Sequence, residues 1–432
     1  MQIILHPERT AWAALTERNI PDDAAIAANV AAIVDRVRLE GDAALRDYAQ
    51  RFDGATLAAL EVTAAERRAA TEAVSPEVKG AIAVAAKHIA AFHAAQKPHT
   101  VDICTAPGVR CVQRAVPISR VGLYIPGGRA PLFSTVLMLG LPARIAGCGE
   151  VVLCTPQGAD GHIAPEILYA ADVCGIKHVY RIGGAQAIAA MAYGTESIPR
   201  VDKIFGPGNR YVTKAKQLVS RTVAIDMPAG PSEVLVMADA HAVPAFVAAD
   251  LLSQAEHGPD SQAILVCDSE AMARDVMAEV ETQAARLRRA ESVAGSLSKS
   301  RIIVLDGIGK MTDFVNAYAP EHLIIATVAP WDVAALVSAA GSVFIGNYSP
   351  ESAGDYASGT NHTLPTGGWA RSFSGVNLDS FMRKITYQEL TPNGLATLAP
   401  TIVAMAEAEG LDAHAAAVKV RLSHPNSQPH EA

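Results

Sequence analysis

The sequence predicts an α/β protein with two mostly parallel sheets, a helical segment ahead of them and a helical tail behind. Three observations predict it. From Val151 onwards, short apolar runs rich in β-branched residues alternate with helix-length segments. That alternation implies βαβ units, whose strands read as continuous apolar runs because both sheet faces are covered. The first hundred residues, and the tail from about Gly394 to Leu422, instead carry a helical pattern.

Taken in order, Ile26, Val30, Ile33, Val34 and Val37 form one helical face. Ser75-Pro76-Glu77 reads as an N-cap, a first-turn proline and a first-turn acid, with Val78, Ile82, Ala85, Ile89 and Phe92 following along one face. An extended stretch is expected from Val109 to Ile125. Strands are expected at Val151–Cys154, His178–Ile182, Val234–Met237, Ala263–Val266, Ile302–Leu305, Leu323–Ile325 and Val343–Ile345. Helix-length segments, such as Pro165–Cys174 and Val243–Glu256, lie between them. So many strands fit two sheets better than one. Residues 346–380, rich in Gly, Ser, Asn and Pro, read as a long loop region, and loops of that length are usually functional. Ser423–Ala432 reads as a frayed end.

A chain of 432 residues suggests two or three domains, and 50% apolar with 19% charged residues supports large cores. The net charge of −8 argues against a nucleic-acid partner. Met1–Pro7 lacks the basic start and apolar stretch of a secretory signal, and no apolar run is long enough to span a membrane. A cytoplasmic protein is expected. Six cysteines include no Cys-x-x-Cys pair, and Cys154 and Cys267 sit within apolar runs as core residues do.

Several polar residues can carry chemistry. Gln254 and His257 lie three apart near a helix end, on one face, where they can share a metal. A polar helix end with a histidine favoured by the dipole is the plainer account of that pair alone. Glu321-His322 follows Pro320 directly before a strand, pairing an acid with an imidazole that exchanges protons near neutral pH. A solvated turn explains it equally well. Asp355 and His362 bracket a loop of small residues suited to ligand contact, or to an ordinary turn. Glu409 and His414 on the tail read first as surface groups. Glycine-rich turns at Tyr124–Gly128, Gly183–Gln186 and Gly206–Asn209 each follow a strand-like run and precede a helix-like one, where phosphates can meet backbone N–H groups. No Gly-x-Gly-x-x-Gly fingerprint accompanies them.

Together these segments resemble the histidinol dehydrogenase family. The resemblance runs in order over almost the whole chain, through Gly122–Gly128, Ile182–Ile188, Lys203–Asn209, Asp226–Glu233, Leu252–Pro259, Gly341–Gly346 and Glu351–Pro365. It implies two Rossmann-like parallel-sheet domains: NAD on an incomplete one at 124–232, and substrate and zinc on 21–123 plus 233–375. An arm at 1–20 precedes them, and a tail at 376–432 is exchanged within a homodimer. It implies zinc on Gln254, His257, Asp355 and His414. One carboxylate among those ligands leaves the ion a net positive charge. Substrate contacts fall on Ser232, Gln254, His257, His322, Asp355, His362, Glu409 and His414, and NAD contacts on Tyr124, Gln186 and Asn209. The implied reaction takes L-histidinol through an aldehyde to L-histidine, with two NAD molecules each accepting a hydride. His322 is the implied proton acceptor and donor, and Glu321 the implied activator of water. One departure, Leu132-Phe133-Ser134-Thr135 in place of Tyr-Pro-Ser-Ser, is expected to touch no residue with a chemical role. Sibling enzymes oxidise other alcohols, and the presence of both Glu409 and His414 favours histidinol.

Three rivals differ in class. A cysteine-thioester aldehyde dehydrogenase needs a reactive thiol beside a catalytic motif. A zinc hydrolase leaves the glycine turns unexplained. A solute-binding protein normally needs an export signal.

Overall fold

The computed structural model describes residues 1–18, 24–127, 131–228 and 230–424. Gly128, Ala229, the end of the 1–20 arm and residues 425–432 of the expected frayed end lie outside the described residues. The chain divides into two compact units, Met1–Gln96 with Ile118–Phe381, and Lys97–Pro117 with Met382–Ala432.

The first unit holds two parallel sheets. One has the order His178–Arg181, Glu150–Thr155, Arg120–Tyr124, Lys203–Phe205, Ala224–Ile225. The other has the order Gln2–Leu5, Arg301–Val304, Gln262–Cys267, Glu233–Ala238, His322–Ala326, Ser342–Ile345. All seven expected strands are present. In the larger sheet, alternate residues enter two separate cores. Val234, Val236, Leu265 and Ile302 pack on one side against the helices Pro244–Ala255 and Glu270–Ala284. Leu235, Met237, Ile264 and Ile303 pack on the other against Gly307–Tyr318 and Trp12. Cover on both faces is why these strands are apolar at every position after the first.

Gln2–Leu5 supplies a strand of the larger sheet that the helical reading of the first hundred residues did not expect, and helices follow it as expected. Ile26, Val30, Val34 and Val37 are buried along Ala24–Glu40. The Ser75 hydroxyl caps Pro76–Ala94 by accepting the Val78 N–H at 3.2 Å. Phe92 alone leaves that helix's expected face and is exposed.

The extended stretch Val109–Ile125 divides between units. Arg120–Tyr124 is a buried parallel strand, whereas Val109–Pro117 belongs to an antiparallel sheet with Val101–Ala106 and Met382–Leu390 in the second unit. Polar residues interrupt the antiparallel strand and not the parallel one. In the second unit Thr391 caps the helix Pro392–Ala408, and Gly410, at φ +73°, turns the chain into Asp412–Ser423. Residues 346–380 are not loop throughout: Glu351–Tyr356 is a helix, and 3-10 turns stand at Trp369–Arg371 and Leu378–Phe381.

Candidate active site

His322 is the first residue of its strand, so it and Glu321 sit at the amino ends of the larger sheet. Ligands in α/β sheets more often bind at the carboxyl ends. The helix Gly307–Tyr318 leads into the pair through Ala319, in the left-handed region at φ +53°, and then Pro320. Both side chains are buried. The main chain of Glu233, on the neighbouring strand, holds both: its N–H donates to Glu321 Oε2 at 2.8 Å, and its C=O lies 3.2 Å from His322 Nδ1. A carbonyl only accepts, so Nδ1 carries the proton and Nε2 is left with a lone pair. Among the described residues Nε2 is buried without a hydrogen-bond partner, 3.8 Å from Asp355 Oδ1. Burial lowers the His322 pKa to about 3, with His257 and His362 adding to the effect against the Glu233 carbonyl. The ring is therefore a neutral base, despite the acids near it.

Those acids form a cluster. One donor atom each from His257, Glu351 and Asp355 lie within 4.8 Å of one another. Burial raises the pKa of Asp355 to about 7 and of Asp250, one turn before Gln254, to about 7. Burial first, and neighbouring acids second, push Glu351 well up. Glu321 is pushed up by the same two causes, against the pull of the Glu233 N–H. His257 is exposed by surface area, yet enough protein surrounds its ring to lower its pKa by desolvation. The Gln254 amide is buried between Glu351 and Glu233. With its NH₂ towards Glu351 it donates to that carboxylate, 3.3 Å to Oε2, while its oxygen accepts the Glu233 N–H at 2.9 Å. Turned over, its oxygen faces the Glu351 carboxyl, an arrangement that needs either a proton on Glu351 or a cation between them. Buried carboxylates, a neutral imidazole and an amide oxygen are a donor set that fits a divalent metal.

His362 is hydrogen-bonded at both ring nitrogens, Nδ1 to the Asp355 carbonyl at 3.0 Å and Nε2 to the Thr135 hydroxyl at 3.1 Å. Burial lowers its pKa to about 4. The contact corrects the expectation for Leu132–Thr135, because Thr135 touches a candidate substrate residue. Threonine retains the hydroxyl that a serine would supply. Ser232 is half-buried next to Glu233. Glu409 and His414 belong to the second unit.

The three glycine turns meet a cavity of roughly 740 Å³ at the carboxyl ends of the smaller sheet, lined by Tyr124, Gly127, Gln157, Gly184, Gln186 and Asn209 among others. All three candidate NAD contacts line it. The buried Tyr124 hydroxyl accepts the Gly184 N–H at 3.1 Å, and burial raises its pKa to about 12. Asn209 also acts structurally, since its Oδ1 caps the helix Arg210–Val219 by accepting the N–H groups of Tyr211 and Val212. Gly206, at φ +124°, passes so close to Tyr124 that a Cβ there would lie 2.0 Å from the Tyr124 carbonyl oxygen. Only glycine fits that crossing.

Three buried groups near the dyad escape a reading of the sequence. Glu351 precedes Asp355 by one helical turn, a spacing hidden when the segment is taken as loop. Glu233 opens an otherwise apolar strand, and a charge in that position signals a buried partner. That partner is Arg18, at 2.9 and 3.0 Å, with no local signal of its own. No thiol competes for a catalytic role. Cys154, Cys174 and Cys267 are buried, and burial pushes Cys174 and Cys267 up to about 12 and the half-buried Cys148 to about 11.

Comparison with known proteins shows the family. The histidinol dehydrogenase family profile matches residues 16–422. A histidinol dehydrogenase from Bacteroides thetaiotaomicron is 55% identical over 424 residues, 98% of this chain and 99% of the relative. One from Yersinia pestis is 56% identical over 93% of this chain and 90% of its own. The crystal structure of histidinol dehydrogenase from Elizabethkingia anophelis superposes with a TM-score of 0.95 at 52% identity, covering 99% of each chain.

Proposed function

The chain belongs to the histidinol dehydrogenase family of oxidoreductases in histidine biosynthesis, and on that premise we propose that it carries out the NAD-dependent, four-electron oxidation of L-histidinol to L-histidine through histidinal. The observation that carries the reading is the neutral His322, with a buried, unpartnered Nε2 beside a cluster of acids. Nε2 takes the alcohol O–H proton in the first step, as hydride leaves the carbon that bears that oxygen. In the second, Glu321 takes a proton from water adding to the aldehyde while His322 Nε2 returns its proton to the aldehyde oxygen, and Nε2, neutral again, takes the hydrate's proton as the second hydride leaves. The Glu321 carboxylate suits that role because burial makes it a stronger base than an exposed acid.

Gln254, His257 and Asp355, joined by His414, would hold zinc, with Glu351 behind Gln254. When bound, the ion would supply a Lewis-acid position for a lone pair of the substrate's amine or imidazole. Ser232, His362 and Glu409 complete the substrate contacts, and Glu409 offers a charge opposite to the amine. Tyr124, Gln186 and Asn209 hold NAD, which accepts each hydride. Their common cavity and the N-terminus of the helix Gly184–Tyr193, whose N-cap residue Gly183 brings no capping side chain, support this assignment. Residues 124–232 form the NAD-binding part, and 21–123 plus 233–375 the substrate and zinc part. The tail 376–432 is exchanged in a homodimer. Met405, Leu411, Val420 and Leu422 of that tail are exposed, as an element built to be covered by a partner would be. Six free cysteines suit a reducing cytoplasm.

The test separates the half-reactions. Glu321→Gln should spare oxidation of histidinol and impair oxidation of supplied histidinal, whereas His322→Asn should impair both. Equal losses in both halves for Glu321→Gln would overturn its assignment to water.

A further inference from the structure

The Glu321–His322 dyad takes its orientation from one peptide unit on either side of Glu233 and from the tight turn at Ala319-Pro320. One side chain from far away in sequence grips both. The Arg18 guanidinium donates to Glu233 through Nε, 3.0 Å from Oε1, and through Nη2, 2.9 Å from Oε2. Nη2 also reaches the carbonyl of the left-handed Ala319 at 3.4 Å. The guanidinium lies over the Tyr318 ring, 3.5 Å from its centroid, and the Tyr318 hydroxyl is anchored to Gln262 at 2.6 Å. Glu233 Oε1 additionally accepts the Gly367 N–H at 2.8 Å. The side chains of Arg18 and Glu233 are 11% and 3% exposed, so this is an internal pair.

A buried ion pair is a poor device for stability alone, since apolar packing often does as well without the desolvation cost. What a guanidinium fork adds is fixed geometry at two oxygens at once. Here that geometry is transmitted to the two peptide units flanking Glu233, one giving Glu321 its direction and the other giving His322 its tautomer. We propose that Arg18, on the N-terminal arm, is a positioning residue for the reaction: through Glu233 and the Ala319 carbonyl it fixes the two backbone segments that orient His322 and Glu321. The inference rests on the proposed roles of those two residues, and it makes the arm a working part of the active site.

Arg18→Ala in the full-length enzyme tests it. Steady-state kinetics at saturating NAD, NADH binding by fluorescence and a thermal melt are measured with and without added guanidinium ion. The expected result is a folded protein whose kcat falls about 10²-fold, the cost of roughly 1 Å of misplacement. KM for histidinol and NADH affinity should stay nearly unchanged. Guanidinium should restore kcat in a saturable way, and sodium chloride at equal ionic strength should not. A folded Arg18→Ala protein with wild-type kcat, a loss confined to KM, or a loss that guanidinium leaves untouched overturns the inference. If Arg18→Ala does not fold, Arg18→Lys decides: it keeps the charge and stem but cannot fork, so lowered kcat in a folded protein supports the inference and wild-type kcat overturns it. His322→Asn run in parallel keeps the two questions apart. Retained turnover there would refute the dyad itself. An inactive His322→Asn beside fully active Arg18 variants would refute only the positioning role.

Discussion

The Gly206–Asn209 turn at the mouth of the proposed NAD cavity is riveted by a buried ion pair, and breaking that pair gives a quantitative prediction. Lys216 Nζ contacts the Asp226 carboxylate and donates to the Gly206 carbonyl at 2.9 Å. Asp226 accepts the Gly206 N–H at 2.8 Å and the Met227 N–H at 2.7 Å. The two side chains are 5% and 1% exposed. Lys216→Met preserves most of the stem's packing but removes the charge, leaving a buried carboxylate uncompensated and the Gly206 carbonyl without its donor. Removing one partner of such a pair costs about 3–5 kcal/mol. That is a large share of the roughly 5–15 kcal/mol by which domains are stable. The melting temperature should fall clearly, and NADH titration should show weakened binding because the turn is loosened. Lys310→Met is the control, since its pair with Asp306 is 61% and 64% exposed and should contribute little. Lys216→Met with Asp226→Asn should melt above Lys216→Met alone, because the second change removes the uncompensated charge while keeping an acceptor for one N–H. A Lys216→Met shift no larger than that of Lys310→Met, or a double variant no better than the single, would refute the reasoning.

His257→Asn should lose both zinc and turnover, and stoichiometric zinc retained by that variant in elemental analysis would sink the ligand set. Replacing all six cysteines by serine or alanine should lower the melting temperature, because three are buried, yet leave turnover in the folded protein. A single cysteine change that abolishes turnover in a folded enzyme would restore the thioester mechanism. Partial burial raises the Glu66 pKa, but the Thr63 N–H and the Arg181 guanidinium outweigh it and hold the group at about 2, below an ordinary value of 4.5. A depressed carboxyl pKa stabilises the fold fully above the ordinary value and loses that effect as pH falls towards 2. Glu66→Gln should therefore lower the melting temperature near neutral pH and make little difference at the acid limit; an equal shift at both would count against it. For the exchanged tail, His414→Ala and His322→Ala homodimers should each be nearly inactive, and refolding a mixture should restore activity; no recovery despite heterodimers verified by mass spectrometry would exclude a shared site.

What was legible in the sequence follows from where its signals are local. Seven of the eleven strands of the two parallel sheets carry apolar runs that announce themselves within a few residues. Met382–Leu390 does not: most of its residues are exposed in the second unit, it has no buried face to impose alternation, and its pairing with Val109–Pro117 spans more than half the chain. The site divides on the same line. Gln254 and His257 share a helix end, and Glu321 and His322 are adjacent, so composition alone could nominate them. Nothing in either pair shows that Glu233 supplies the peptide that orients the dyad, because a backbone N–H and C=O leave no mark on residue identity. Arg18 is invisible for the related reason that its partner stands 215 positions away. Glu351 lay within reach of sequence reasoning, four residues before Asp355, had the Pro350–Glu351 start been taken as the opening of a helix. The groups found from sequence are those proposed to face the reacting atoms, whereas the groups found only from the fold are those proposed to hold the first set still. A substitution survey restricted to the sequence-evident residues would therefore sample the chemistry and miss the architecture that sets its geometry.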